Sequence, residues 1–156
     1  HSEVVIIEES DSRREVAKKL GFNRVFSNLL EYKKTNPTDL FDYCFEAAGS
    51  VESIKEGFAS IKDNGILVFA SHPRNGDLIT LDPHELIRGK TIKGTWGGNF
   101  PPDQAITEIG NRLIKLDIDI NSMLGPKFTL DNVNQGLSYL QSGGPGKPLI
   151  DFGDFN

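Results

Sequence analysis

Apolar and polar positions along this chain alternate between two habits. Val4 to Ile7 is a run of consecutive β-branched residues, the signature of a strand covered on both faces and not of a half-exposed one. It ends in Glu8 and Glu9. Ser12 and Glu15 have the spacing of a capping box, and Val16, Ala17 and Leu20 form an apolar stripe that closes at Gly21. That spacing predicts a helix from roughly Ser12 to Leu20.

"RVFS" (Arg24 to Ser27) reads as a second, short strand, and "LLEYKKTNPTDLF" as a crossover too polar and too interrupted by proline to be one clean helix. "YCFEAAG" (Tyr43 to Gly49) is the third strand. Ser50 can cap a helix that carries Ile54, Phe58 and Ile61 on one face, and "DNG" ends it. "ILVFAS" (Ile66 to Ser71) is another doubly covered strand. The polar loop "HPRNGD", a short segment "DPHELIRG" and a fifth strand "KTIKGTWGG" follow. Strand and helix thus alternate, which predicts an α/β fold with a parallel, doubly wound sheet.

Beyond Gly98, "PPDQAITEIGNRLIKL" places Ile106, Ile109, Leu113 and Leu116 on one stripe behind Asp103 as a cap. "LDNVNQGLSYLQSGG" predicts a shorter helix capped by Asp131, with Val133, Leu137 and Leu140 inward, and "KPLIDF" supplies a last strand.

Composition narrows the function classes. A chain of 156 residues has the length of one domain with a sizeable core of its own. A net charge of −5, without blocks of like charge, argues against a nucleic-acid or anionic-membrane surface and for a diffusible small partner. The single cysteine, Cys44, sits in an apolar run; it excludes an intrachain disulfide and favours a reducing, cytoplasmic setting. No run approaches the roughly 18 apolar residues of a membrane helix. His1 and Ser2 look like the scar of a purification tag and are left out of the fold argument.

Glu8 stands at the C-terminal end of a strand, where a carboxylate can accept hydrogen bonds from adenosine ribose hydroxyls and repel the extra phosphate of NADP. A solvated acid at a strand end is the plainer alternative. Arg13 can flank the ribose or simply face solvent. No G-x-G-x-x-G occurs, and "SGGPGKP" (Ser142 to Pro148) lacks the spacing of a phosphate loop and leads into a strand. His72 and His84 are too far apart to share a helical face, and no cysteine pair exists, so this chain by itself does not read as a zinc site. His72 either lines a pocket at the end of the fourth strand or is a loop residue.

"VVIIEESDSRREVAKKLGF", "FEAAGSVESIKEGFASIKDNGILVFAS", "HELIRGKTIKGTWGG" and "FTLDNVNQGLSYLQSGGPGKPLIDF" stand in the order and at about the spacing of the medium-chain zinc-type alcohol and polyol dehydrogenases. The chain resembles the C-terminal, nucleotide-binding half of such an enzyme. The resemblance implies a Rossmann-like sheet lacking its first strand and glycine loop over residues 1–122, and a helix and strand over 123–156 that return to the catalytic domain. It implies Glu8 on the adenosine ribose with Arg13 beside it, and Ala47, Ala48 and Gly49 on the adenine side. Ala70 and Ser71 would follow the nicotinamide ribose and carboxamide, and Thr95, Trp96 and Gly97 would meet the carboxamide through backbone groups. Lys147 would reach the pyrophosphate, without the bidentate fork of an arginine. The zinc ligands, proton relay and substrate pocket of the family have no counterpart in this sequence. The implied activity is hydride transfer between an alcohol, polyol or sugar alcohol and NAD, with weak dinucleotide binding and no turnover by this chain alone.

In the family's strand order, 3-2-1-4-5-6, a lost first strand leaves a gap in mid-sheet. Two outcomes are expected: closure by direct pairing of the Val4 and Tyr43 strands into a flavodoxin-like 2-1-3-4-5 order, or a strand supplied by a neighbouring polypeptide. The β-branched "KTIKGTW" edge suggests a homodimer through Thr91 to Trp96. Two functions follow: a truncated NAD-dependent dehydrogenase, favoured by the missing initiator methionine, or a stand-alone, non-catalytic binding or dimerisation module.

Overall fold

The computed structural model describes residues 3–153; His1 and Ser2 lie outside the described residues. The fold is α/β with parallel strands throughout, and the chain divides into two compact units, His1–Thr35 with Thr107–Asn156, and Asn36–Ile106.

The unit formed by Asn36–Ile106 holds a three-stranded parallel sheet in the order β3-β4-β5, with β3 at Phe41–Glu46, β4 at Ile61–Phe69 and β5 at Thr91–Gly94. Helix α3 (Val51–Ala59) returns from β3 to β4, and the short α4 (Pro83–Ile87) from β4 to β5. The cap of α3 is as its sequence predicts: Ser50 Oγ accepts from Ser53 N at 3.0 Å, and the Ser53 side chain closes the box. Ile54, Phe58, Ile61 and Leu67 form the core, with Phe41, Cys44, Phe69 and Ile92 packed round it. Ile61 belongs to β4, not to the helix, because α3 stops at Ala59.

"DNG" lies inside β4, where the pairing with β3 shifts register between Phe41↔Ile61 and Tyr43↔Ile66. Asn64 there has φ +63°, and its Oδ1 fills the space a Cβ on Gly89 would need, 2.3 Å away; Gly89 itself has φ +88°. Beside it, the buried Lys90 pairs with Glu85 and donates to Phe58 O at 3.3 Å.

The other unit contains two two-stranded parallel sheets. In one, β1 (Ile6–Ile7) pairs with β2 (Val25–Phe26), joined by α1 (Asp11–Lys19). The start of α1 corrects the sequence expectation: Ser10, not Ser12, is the N-cap, and Glu15 pairs with Lys18 at 2.7 Å instead of reaching back. Helix α2 (Leu29–Thr35) is regular for two turns, opened by Asn28 Oδ1 accepting from Glu31 N at 2.8 Å, and ends before Asn36-Pro37. Its Tyr32 is buried edge-on to Phe26.

Helix α5 (Pro102–Lys115) begins one residue before the expected cap Asp103, and Ile106, Ile109 and Leu116 on its stripe are exposed. The second sheet pairs β6 (Leu124–Thr129) with β7 (Lys147–Asp151). β6 escapes sequence reading because Gly125 and Pro126 sit in it, at the point where its register shifts. Helix α6 (Val133–Gln141) joins the two; Asn132, not Asp131, stands at its N-cap position, without a side-chain capping bond. Its covered face is Val133, Gly136 and Tyr139, since Gly136 allows close approach to Phe128, while Leu137 and Leu140 are exposed.

The flavodoxin-like closure is not observed. Among the described residues β1 hydrogen-bonds only β2, and β3 only β4. A two-residue β1 has few ladder bonds to gain from such a union. The expected double coverage of the Val4–Ile7 run fails with it: Val4 is 51% exposed and Ile7 39%. The sizeable core predicted from chain length is correspondingly reduced to the α3–β4 cluster and Tyr32. No described helix is long and apolar enough to cross a membrane.

Candidate functional site

Parallel strands deliver their C-terminal ends, and the loops that follow, to one edge of a sheet. In β3, β4 and β5 that edge carries Ala47, Ala48 and Gly49, then Ala70 and Ser71, then Thr95, Trp96 and Gly97. The three ends are stitched by backbone bonds, Ala70 N to Glu46 O at 2.9 Å and Thr95 N to Phe69 O at 3.0 Å. Gly49 adopts φ +93°, and a Cβ on it would stand 3.8 Å from Ser71 Cβ, so the β3–α3 turn lies directly beside the end of β4. The Thr95 hydroxyl accepts from Gly98 N at 3.1 Å. His72, a loop residue after β4, is exposed and meets Trp96 edge-on, with ring centres 4.5 Å apart.

The residue that organises this edge was not among the sequence candidates. Glu46, the last residue of β3, is only 6% exposed, and its carboxylate accepts from Ala48 N, Gly49 N, Ser53 Oγ and Ser71 Oγ. Burial pushes its carboxyl upward, but the four donors together outweigh burial and hold it below the usual range. A signal existed in the sequence: a carboxylate at a strand end, two residues before the first of two turn amides and seven before a capping serine.

In the other unit, Glu8 follows β1, with its backbone N donating to Phe26 O at 2.9 Å. Glu8 Oε1 accepts from Ser10 N at 2.8 Å and from Arg13 Nε at 3.0 Å. Oε2 has no hydrogen-bond partner among the described residues, so one oxygen is anchored while the other stays an acceptor. Arg13 therefore sits beside Glu8. Lys147 opens β7 opposite Leu124; it is exposed, on a different sheet from Glu8. "SGGPGKP" is the turn from α6 into β7, with Gly143 and Gly146 at positive φ and no helix after it. A shallow depression at β6 and β7, lined by Lys127, Leu149, Ile150, Asp151, Phe152 and Gly153, contains none of the candidates.

Among the described residues no group of three His, Cys, Asp or Glu side chains could hold a metal ion. The described residues do not fit a zinc centre.

The sequence profile of the zinc-binding dehydrogenases matches residues 1–114. The chain belongs to that family. Alcohol dehydrogenase 1 of Trifolium repens is 24% identical over 150 residues, covering 91% of this chain and 39% of its own length. The chain thus spans about two-fifths of that relative, within its C-terminal half.

Benzyl alcohol dehydrogenase from Acinetobacter calcoaceticus superposes with a TM-score of 0.86 at 24% identity, over 97% of this chain and 43% of that one. A protein described as a zinc-binding dehydrogenase from Sinorhizobium meliloti 1021, solved with NADP, gives 0.79 at 18%, over 96% and 45%. An E. coli CFT073 protein described as a short chain alcohol dehydrogenase, solved with NADH, gives 0.78 at 15%, over 97% and 45%. These likenesses establish the Rossmann-like fold.

Proposed function

We propose that this chain is the nicotinamide-dinucleotide-binding portion of a zinc-type dehydrogenase acting on an alcohol, polyol or sugar alcohol. When bound, the cofactor would supply the hydride acceptor, and the chain's own residues would hold and orient it. Glu8 Oε2 accepts from the adenosine ribose hydroxyls, and Arg13 flanks it. The end of β3 meets the adenine side through Ala47 to Gly49, and the ends of β4 and β5 receive the nicotinamide half through Ser71 and the backbone of Ala70 and Thr95 to Gly97. Lys147 offers its charge to the pyrophosphate. Residues 123–156 are read as the helix and strand that lead back to a catalytic domain.

The observation that carries this reading is Glu8: a strand-end carboxylate fixed on one oxygen and open on the other. It supports NAD over NADP, because the 2′-phosphate of NADP would meet a carboxylate where a hydroxyl donor is accepted. Affinity is low, since no glycine-rich strand-to-helix turn of the G-x-G-x-x-G kind occurs in the sequence. Turnover of alcohol by this chain alone is not expected. Paired titrations with NAD and NADP test the reading: NAD binds more tightly, and Glu8→Ala abolishes the difference. Equal or tighter binding of NADP by the unmodified chain overturns it.

Assembly as a homodimer is proposed through Thr91 to Trp96, in a cytoplasmic setting. Support comes from β5, which pairs with β4 on one side and with no strand on the other among the described residues. Light scattering that finds only monomer at high concentration removes this part of the proposal.

A further inference from the structure

The turn after β3 has the parts of an anion seat. Backbone N–H groups of Ala48 and Gly49 converge just ahead of α3, a nine-residue helix whose positive end faces them. The seat is taken by the chain itself. Glu46 Oε1 accepts from Ala48 N at 2.7 Å, from Gly49 N at 2.9 Å and from Ser53 Oγ at 2.8 Å, while Oε2 accepts from Ser71 Oγ.

Two consequences follow from elementary hydrogen-bond chemistry. A phosphate oxygen cannot use amides that a buried carboxylate already occupies, and it is repelled by that charge. The Ser71 hydroxyl has one hydrogen, and an ionised carboxylate can only accept it. Ser71 therefore presents lone pairs alone to any ligand.

We infer that Glu46 is a positioning residue for the cofactor: it bars phosphate from the β3–α3 turn and fixes Ser71 as an acceptor. This end of the sheet then takes up a phosphate-free group bearing hydrogen-bond donors, the carboxamide N–H₂ of the nicotinamide. The inference rests on the dinucleotide reading above and adds the polarity of the site.

The test is a titration of the ¹⁵N-labelled chain with NAD, with ADP-ribose, which lacks the nicotinamide, and with inorganic phosphate. Glu46→Gln keeps the shape but puts an N–H₂ donor within reach of the turn or of Ser71. It is expected to lose about fivefold to tenfold in NAD affinity, the scale of one neutral hydrogen bond, with ADP-ribose affinity unchanged. Ser71→Ala, at a strand end outside the core, should show the same selective loss. Glu46→Ala should let phosphate shift the Ala48 and Gly49 amides, which phosphate leaves unmoved in the unmodified chain.

Unchanged NAD affinity in Glu46→Gln and Ser71→Ala overturns the inference, as does an equal loss for NAD and ADP-ribose, which would mean a general folding role. Phosphate shifts at Ala48 and Gly49 in the unmodified chain overturn it too. All three leave the dinucleotide reading standing; failure of the unmodified chain to bind NAD at all brings down both.

Discussion

Gly57 and Cys44 touch across the contact between α3 and β3. A Cβ added to Gly57 would stand 3.0 Å from Cys44 Sγ and 3.1 Å from Leu67 Cδ1. Replacing a mid-helix glycine by alanine ordinarily gains about 1 kcal/mol of helix propensity. Overpacking at two tight contacts costs about 1–3 kcal/mol, so the crowding wins. Gly57→Ala is expected to lower the urea midpoint by a net loss of about 1 kcal/mol. Cys44→Ala in the same chain should recover part of it, since one of the two obstructing atoms is gone. A stabilised Gly57→Ala protein would show that α3 moves freely on the sheet.

Glu46 gives stability a pH signature. Its carboxyl titrates below the unfolded value of about 4.3, so its contribution is complete above that value and disappears as pH falls through the lower native one. Unfolding midpoints of the wild type and Glu46→Gln should differ at pH 7 and converge as pH falls below about 4. Glu46→Ala, which strips partners from the two turn amides, should cost about 1–3 kcal/mol at neutral pH. A gap between wild type and Glu46→Gln that widens on acidification would contradict the assignment.

Much of this organisation could be read along the chain, and the exceptions have physical causes. The α3 cap was legible because Ser50 and its partner are local. The strand β4 was legible because Ile66 to Phe69 are consecutively apolar. Ser12 and Asp131 misled because several side chains near a helix start can serve as its cap, and only backbone geometry chooses. Glu46 was passed over because an acid in a strand normally signals an exposed position, and its donors include Ser71, 25 residues away. Hydrophobicity alone points Leu137 and Leu140 inward, whereas close packing against Phe128 selects the small Gly136.

Arg13 partly neutralises Glu8, and that sets a third expectation. Removing the guanidinium in Arg13→Ala leaves the Glu8 charge uncompensated, so NADP binding should weaken more than NAD binding. The pair is surface-exposed, and an effect of about 0.2–1 kcal/mol corresponds to roughly 1.4- to fivefold in the NADP/NAD ratio, shrinking with added salt. A shift of the ratio toward NADP would show that Arg13 does not offset the Glu8 charge at the 2′ position.

The Cys44 thiol is pushed up by burial, with the charge of Glu46 adding to the shift. Little thiolate forms near pH 8, so the native chain should react with a disulfide reagent far more slowly than the chain in 6 M urea. Comparable rates would place Cys44 in a part of the sheet that opens readily.

The left-handed Asn64 carries a longer message. Its carboxamide oxygen and a side chain at position 89 would claim the same volume, so the two positions cannot vary independently. A chain that acquires alanine at 89 must first give up, or swing away, the side chain at 64. Among related sequences these two sites should therefore drift as a couple, a pairing dictated by geometry between residues that share no role in binding.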